Sequence, residues 1–463
     1  MKTHFGIMFA LGVLCTLLVS CGDDGEGRKP NIFGEEESFV KVEYTSNADT
    51  VYLRWTLTDK DTRFDSYEVT DNRTGRVVTA GREATSCFLT HIPYAEPVSV
   101  YLSLVQDGKT VKTNRTDLVI DGLDRVTAGI IIPDRGSVTG GDGMYSVALP
   151  DGRSIFLMGD SYTGTVTGGR RSTSDHMYRN SYIVYDDGRV SAITDANGPG
   201  TSGAVPPGVT NEGQKWYWPG HGFVADNTLY IFQTVMYQGE EGMWGFRYET
   251  TDILEYELPE IRLKRTTRIP FTGSADIHYG MAALNDGDYI YIYAQVDVDN
   301  SANPVSEVLA ARTTLARAET ARLYDRWEYY TGTGWSVSSS DAVRLEGLAS
   351  VPVSSQFNVF RLRDKYVLLT QNKRFNSGEI YTFVSDTPCG PWRNKQLIFE
   401  TYEQDVPDLF TYNAMAHPQF EKDGMILVSY NVNTGDFAQQ FSDVTTYRPR
   451  FFWVEIDRIL NGK

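Results

Sequence analysis

Two aspartates set the chemical question. Asp142 stands in Gly140-Gly141-Asp142-Gly143, and Asp160 in Gly159-Asp160-Ser161-Tyr162. Glycines beside a carboxylate let another molecule approach closely. If the intervening chain folds as a regular hairpin, both carboxyls open on one mouth. Two carboxylates at one mouth are the minimum for cleaving a glycosidic bond, one acting as acid and the other as base or nucleophile. Their proximity would also push their pKa values apart. The bland reading of each is an aspartate that caps a tight turn. A phosphate loop is excluded, because the spacing and the following helix are missing. Glu379, after Asn376-Ser377-Gly378, and Asp276 are the first choices for a separate proton donor, with Glu212 beside them. Each also reads as a solvated surface carboxylate.

Residues fit to bind come next. Trp216-Tyr217-Trp218-Pro219-Gly220-His221 crowds three aromatics, and flat aromatic faces stack on the C–H faces of sugar rings. The alternative is a hydrophobic plug. Of the six histidines, His221, His278 and His417 fall near inner strands. They are candidates for sugar hydrogen bonds, a proton relay or an axial metal, or are simply satisfied by backbone. No fixed ligand spacing supports the metal, so no cofactor is expected. Asp297-x-Asp299-Asn300 lacks the glycine and glutamate of a calcium loop.

These side chains need a scaffold, and an internal repeat supplies one. Five times, an apolar strand meets a polar turn, at Asp151-Gly152, Asp226-Asn227, Asp286-Gly287, Asp364-Lys365 and Asp423-Gly424. The strand after each turn ends on a polar residue: Asp160, Thr234, Gln295, Asn372 and Asn431. The strand before it opens near Asp142, Tyr217, His278, Gln356 and Asn413. Repeats of roughly 60–75 residues, each holding several strands, describe a five-bladed β-propeller, here over residues 129–460. Both columns then converge on one axial mouth. Ile130-Ile131-Ile132 is placed to complete the last blade, and Arg448 and Arg450 join Asn413, Asn431 and Gln356 as candidates to hold hydroxyls or a uronate.

Residues 36–122 carry short alternating strands around Trp55, Tyr67 and Tyr101, separated by turns, and predict an antiparallel sandwich of immunoglobulin or fibronectin III type. The fold class is therefore all-β. Ahead of it, residues 1–20 read as a secretion signal too short to span a bilayer. They end in Leu18-Val19-Ser20-Cys21, similar to a bacterial lipobox, which implies lipidation of Cys21. Residues 21–35 form an acidic linker. With 43 Lys+Arg against 60 Asp+Glu, the net charge is −17, which argues against nucleic acid as a partner. Only Cys87 and Cys389 remain beyond the leader, in different domains, so no disulfide is expected.

The run Thr139-Gly140-Gly141-Asp142-Gly143-Met144-Tyr145-Ser146, followed by Leu149-Pro150-Asp151-Gly152-Arg153, resembles the opening of a bacterial family of unknown function, DUF5005. Trp327-Glu328-Tyr329-Tyr330-Thr331-Gly332, Tyr412-Asn413-Ala414-Met415-Ala416-His417-Pro418 and Tyr447-Arg448-Pro449-Arg450-Phe451 extend the likeness. That family looks like a relative of the five-bladed arabinanase, fructosidase and endo-D-arabinanase propellers. Ser385-Asp386-Thr387-Pro388-Cys389-Gly390-Pro391-Trp392 is similar to a turn of arabinanase-type blades. The resemblance implies that Asp142, on the innermost strand of blade one, is base or nucleophile. It implies a glutamate donor from a later blade, which no motif here identifies. The expectation is a lipid-anchored, surface-exposed outer-membrane protein hydrolysing a polysaccharide, furanosides among the candidates, beside a glycan-import system. The rival is a non-catalytic glycan-binding lipoprotein.

Overall fold

The computed structural model describes residues 38–242, 244–297, 306–314, 322–374 and 377–462. The leader, Cys21, the acidic linker, Asn376, Asp299 and Asn300 lie outside them. Residues 40–118 form two antiparallel sheets. Val40–Asn47, Thr50–Leu57 and Ser86–Leu89 make one; Val77–Gly81, Ser66–Asp71, Val98–Gln106 and Lys109–Leu118 make the other. Alternation does the sorting, since successive side chains on a strand face opposite ways. Val51, Leu53 and Trp55 from one sheet meet Tyr67, Val69, Val100, Leu102 and Leu104 from the other in a single core. This sandwich docks on the propeller through Tyr94, whose ring stacks on Phe399 at 4.4 Å and whose hydroxyl donates to the Glu400 carbonyl.

Five further antiparallel sheets form the propeller. Their inner strands are Gly140–Ala148, Lys215–Ala225, Ile277–Asn285, Asn358–Leu362 and Leu409–Lys422. Each touches the next around the ring, and the last touches the first. The second strands are Ser154–Tyr162, Thr228–Gln238, Tyr289–Asp297, Lys365–Gln371 and Met425–Thr434. At Asp226-Asn227 both residues have positive φ, 45° and 58°, as a tight two-residue hairpin turn requires.

The ring is held at its seams. One apolar cluster fills each gap between neighbouring blades; Tyr145, Leu157 and Tyr182 of blade one, for instance, pack on Tyr217, Ile231 and Leu254 of blade two. The closing seam joins Met144, Phe156 and Met158 to Leu427 and Phe451 of blade five. Truncating a buried phenylalanine such as Phe451 should cost about 3–5 kcal/mol.

Closure differs from expectation. Ile130-Ile131-Ile132 does not form a strand. Arg125–Ile131 is a helix, because the Asp124 side chain accepts the Thr127 amide and caps its first turn. Ile131 and Ile132 instead fill the closing seam. Leu123 bridges Phe452 at the outer edge of blade five, and Trp453 Nε1 donates to Asp124 at 2.7 Å. The chain leaving the sandwich thus covers the edge of the last sheet.

Candidate active site

Four glycines shape the backbone around the two aspartates. Gly140 and Gly141 pair with Tyr162 and Ser161, then the register slips so that Gly143 faces Met158. Asp142 therefore rides a bulge opposite Gly159 and Asp160, and bulges re-aim side chains in this way. Gly141 and Gly143 take φ of 154° and 102°. A Cβ on Gly141 would lie 2.7 Å from the Asp160 carbonyl, and one on Gly159 would lie 2.5 Å from Asp142 Oδ1. Only glycine leaves room for both carboxyls.

The two aspartates have different partners. Asp142 Oδ2 accepts the Tyr412 hydroxyl at 2.7 Å. Burial, followed by the charge of Asp160, pushes Asp142 up to about 7. Asp160 Oδ1 accepts Trp218 Nε1 at 2.9 Å, and Oδ2 lies 3.4 Å from the Arg179 guanidinium. Burial raises Asp160 as well, while Arg179 and Trp218 oppose that rise. A cation faces Asp160, whereas Asp142 meets tyrosine hydroxyls and the charge of Asp160 itself, so the pair's proton rests on Asp142. Two carboxyls whose surroundings separate them can serve as an acid and a base in one site, and they titrate as a pair.

Above them opens a cavity of about 730 Å³, within the usual range for ligand pockets. Its lining is sorted by blade. Trp218, Trp244, Phe246 and Tyr248 form an aromatic wall on blade two, while Gln356, Asn372 and Asn413 face it from blades four and five. Four members of each column read from the sequence reach this mouth. Asp142, His278, Gln356 and Asn413 line it, as do Asp160, Thr234, Gln295 and Asn372. The His278 ring lies tilted against Tyr248, with ring centroids 3.9 Å apart.

Several expected site residues stand elsewhere. Tyr217 is turned into the seam, its hydroxyl on Asp252, and Trp218 pairs with Thr234 in its place. Trp216 lines the cavity but is only 1% exposed, lying beneath the Arg179 guanidinium at 4.4 Å. It supports the floor and offers no free face. His221 and His417 are buried on inner strands away from the cavity. His221 Nδ1 accepts the Ala283 amide, and His417 sits between the Ser146 and Ser429 hydroxyls at 2.7 and 2.9 Å. Burial pushes them down to about 4 and about 3, so both rings are neutral. Asn431 is buried, donating to the carbonyls of Gly143 and Asn413, and braces the bulges that aim Asp142 and Asn413. Asn433 lines the mouth in its stead.

Arg448 and Arg450 leave the mouth altogether. They line a separate cavity of about 330 Å³ beside the 125–131 helix. Arg448 donates to the Thr139 carbonyl and Asp134, and Arg450 pairs with the buried Glu403. None of the candidate proton donors lines the cavity, and Glu212 instead accepts the Ser202 amide. Asp276 is exposed in a turn, bonded to Ser274. Burial raises Glu379, but hydrogen bonds from Asn372, Tyr381 and Ser377 outweigh it and hold its pKa lowered. Among the described residues, no three His, Cys, Asp or Glu side chains come together as a metal site.

The structure also adds residues. Arg179, Tyr412 and Tyr447 complete the carboxylate shell, with the Tyr447 hydroxyl donating to the Asp160 carbonyl at 3.0 Å. Tyr412 could be found only by knowing that a bulge after it pairs it with Asn431. Arg179 and Tyr447 lie outside the long strands, in segments that carry no periodic signal.

No curated protein matches the chain. Among solved structures, a protein of Bacteroides ovatus ATCC 8483, provisionally described as a hydrolase, has a TM-score of 0.59 at 19% identity, covering 79% of this chain and 93% of that one. That likeness is one of fold. A GH32 beta-fructofuranosidase of Bombyx mori has a TM-score of 0.37 at 13% identity, covering 69% of this chain and 60% of that one. A levansucrase variant of B. megaterium has 0.40 at 13%, covering 69% and 85%. The family model for DUF5005, a domain of unknown function, matches residues 134–456. That span runs from the approach to blade one to the end of blade five, and the chain belongs to the DUF5005 family.

Proposed function

We propose that this protein is a glycoside hydrolase that cleaves a polysaccharide at the axial mouth of its propeller. The observation that carries the reading is the asymmetric pair at the cavity floor: Asp142 under neutral hydroxyls with its pKa near 7, and Asp160 against Arg179 and Trp218. In the reaction, Asp142 gives its proton to the glycosidic oxygen as the bond to the anomeric carbon breaks. Asp160 either takes the proton of a water that attacks that carbon, or attacks it to form a glycosyl ester that water then cleaves, with Asp142 taking that water's proton. This reverses the sequence-based expectation, in which Asp142 was base or nucleophile and Asp160 its partner. The amides of Gln356, Asn372 and Asn413 and the ring of His278 bind hydroxyls. Furanoside-containing polysaccharides head the candidate substrates.

The lipobox-like Leu18-Val19-Ser20-Cys21 and the acidic segment after it support a lipid anchor at Cys21 and a place on the outer-membrane surface, beside a glycan-import system. Incubating the purified protein with arabinans, fructans, galactans and host glycans, and assaying reducing ends, tests the activity. Release by the wild type that Asp142→Asn abolishes is the expected result. The second reading, a non-catalytic glycan-binding protein, is favoured by one observation. Among the described residues, Asp142 and Asp160 are the only carboxylates lining the cavity, and they stand on adjacent strands of one blade. Binding without release, equal in both proteins, would establish it.

A further inference from the structure

One tryptophan sits where folding does not need it. Trp244 is 62% exposed, yet it lines the upper wall of the cavity. A tryptophan left in water forfeits the largest hydrophobic gain available to a side chain. The loop that carries it is tightly tied. The Gln238 side-chain amide donates to the carbonyls of Glu240 and Gly242 at 2.6 and 2.7 Å. The amides of Gly239 and Glu240 both reach the Gly245 carbonyl, and Arg247 pairs with Glu240 at 2.6 Å. Gly245, directly after the tryptophan, has no room for a side chain: a Cβ there would lie 2.2 Å from the Glu240 carbonyl. The loop therefore holds an indole at the rim in a preorganised position, and preorganisation reduces the cost of binding.

The wall continues downward. Trp244 and Phe246 have ring centroids 6.3 Å apart, Phe246 and Trp218 4.8 Å, and Trp218 Nε1 ends on Asp160. A sugar ring has an apolar C–H face and a polar edge, which matches an aromatic wall facing the amides of Gln356, Asn372 and Asn413. We infer that Trp244 is the stacking platform of a second saccharide subsite, separated from the reacting position by Phe246 and Trp218. This rests on the reading of the mouth as a glycan site and extends it: the ligand is an oligosaccharide or longer, and a single sugar does not fill the site.

Affinity electrophoresis in gels containing arabinan, levan or galactan tests this without requiring turnover. Wild type, Asp142→Asn, Trp244→Ala and Trp244→Phe are compared, and because Trp244 is exposed the alanine variant should fold. The expected result is retardation of wild type and Asp142→Asn in at least one gel, with Trp244→Ala binding about tenfold more weakly and Trp244→Phe in between. Equal retardation of wild type and Trp244→Ala, or retardation of neither in every gel, overturns the subsite. Retardation that depends on Trp244 without any sugar release would leave the subsite standing and refute hydrolysis. Where release occurs, Trp244→Ala should raise KM on the polymer with kcat unchanged. An equal rise on the shortest cleaved substrate also overturns the assignment.

Discussion

Arg179 is the group that makes the two aspartates unequal, and replacing it has a calculable consequence. Its guanidinium lies 3.4 Å from Asp160 Oδ2, and the two side chains are 26% and 18% exposed. At an effective dielectric near 20, that separation corresponds to about 5 kcal/mol of attraction. Solvent screening and the hydration each ion gives up reduce the net effect to about one to three pKa units for a carboxylate beside an arginine. Arg179→Met keeps an apolar contact with Trp216 and removes the charge. With the cation gone, the ionised form of Asp160 is disfavoured and its pKa rises. The acid limb of kcat/KM, which reports the need for ionised Asp160, should therefore move to higher pH by about one to two units. Activity on the acidic side of the profile falls most, and the alkaline limb, governed by the proton on Asp142, moves less. Arg179→Lys retains the charge and should keep most of the acid limb. The assay is a full pH profile of reducing-sugar release for the three proteins, with melting temperatures measured alongside. An acid limb that stays in place in Arg179→Met, with the fold intact, would refute the assignment of the ionised member to Asp160.

Three other outcomes follow from the same geometry. Gly159→Ala places a methyl 2.5 Å from Asp142 Oδ1; it should cut kcat by about 10²-fold or more through misplaced chemistry, while circular dichroism and melting change little. Asp124→Ala removes the helix cap and orphans Trp453 Nε1 and Asn47 Nδ2. It should lower stability by about 2–4 kcal/mol in urea unfolding, and a loss within error would mean that this segment does not secure the last blade. His221 and His417 are held at about 4 and about 3, below the unfolded value of 6.5. Below pH 6.5 the unfolded chain binds more protons than the native one, so their contribution weakens stability as pH falls from 6.5 towards 4. The loss is on the order of 3 kcal/mol per ring at the lower end. His417→Gln should flatten part of that dependence, and an unchanged pH slope would show that the ring is already charged.

Much of the architecture was legible because it repeats. Polar turns between apolar strands recur five times, and four members of each of the columns through Asp160 and Asp142 land on one mouth. What the pattern missed lies where regular pairing breaks. Bulges between Gly141 and Gly143 and between Tyr412 and Met415 shift the register. A one-residue slip sends a side chain to the other face, so Tyr412 joined the site beside Asn413. Within blade two, the same two-residue alternation sent Tyr217 inward and Trp218 to the mouth. Ile130-Ile131-Ile132 has strand-like composition, yet the capping aspartate six residues before Ile130 starts a helix that takes Ile130 and Ile131 and ends at Ile132. Arg448 and Arg450 sit close in sequence to Tyr447, but the chain turns after that residue and carries both away from the mouth. Trp244 gave no periodic signal, since its loop is defined by hydrogen bonds to Gln238 and Gly245 and not by apolar spacing.

Hydrolysis by the Asp142–Asp160 pair is tested most directly by the origin of the oxygen in the product. Polysaccharide is digested in water enriched in heavy oxygen, and the released fragments are weighed by mass spectrometry. Wild-type protein should place one heavy oxygen at each new reducing end, and both Asp142→Asn and Asp160→Asn should release no labelled fragment while melting as the wild type does. Fragments without the label, or labelled fragments formed equally well by the Asp142→Asn protein, would contradict the account.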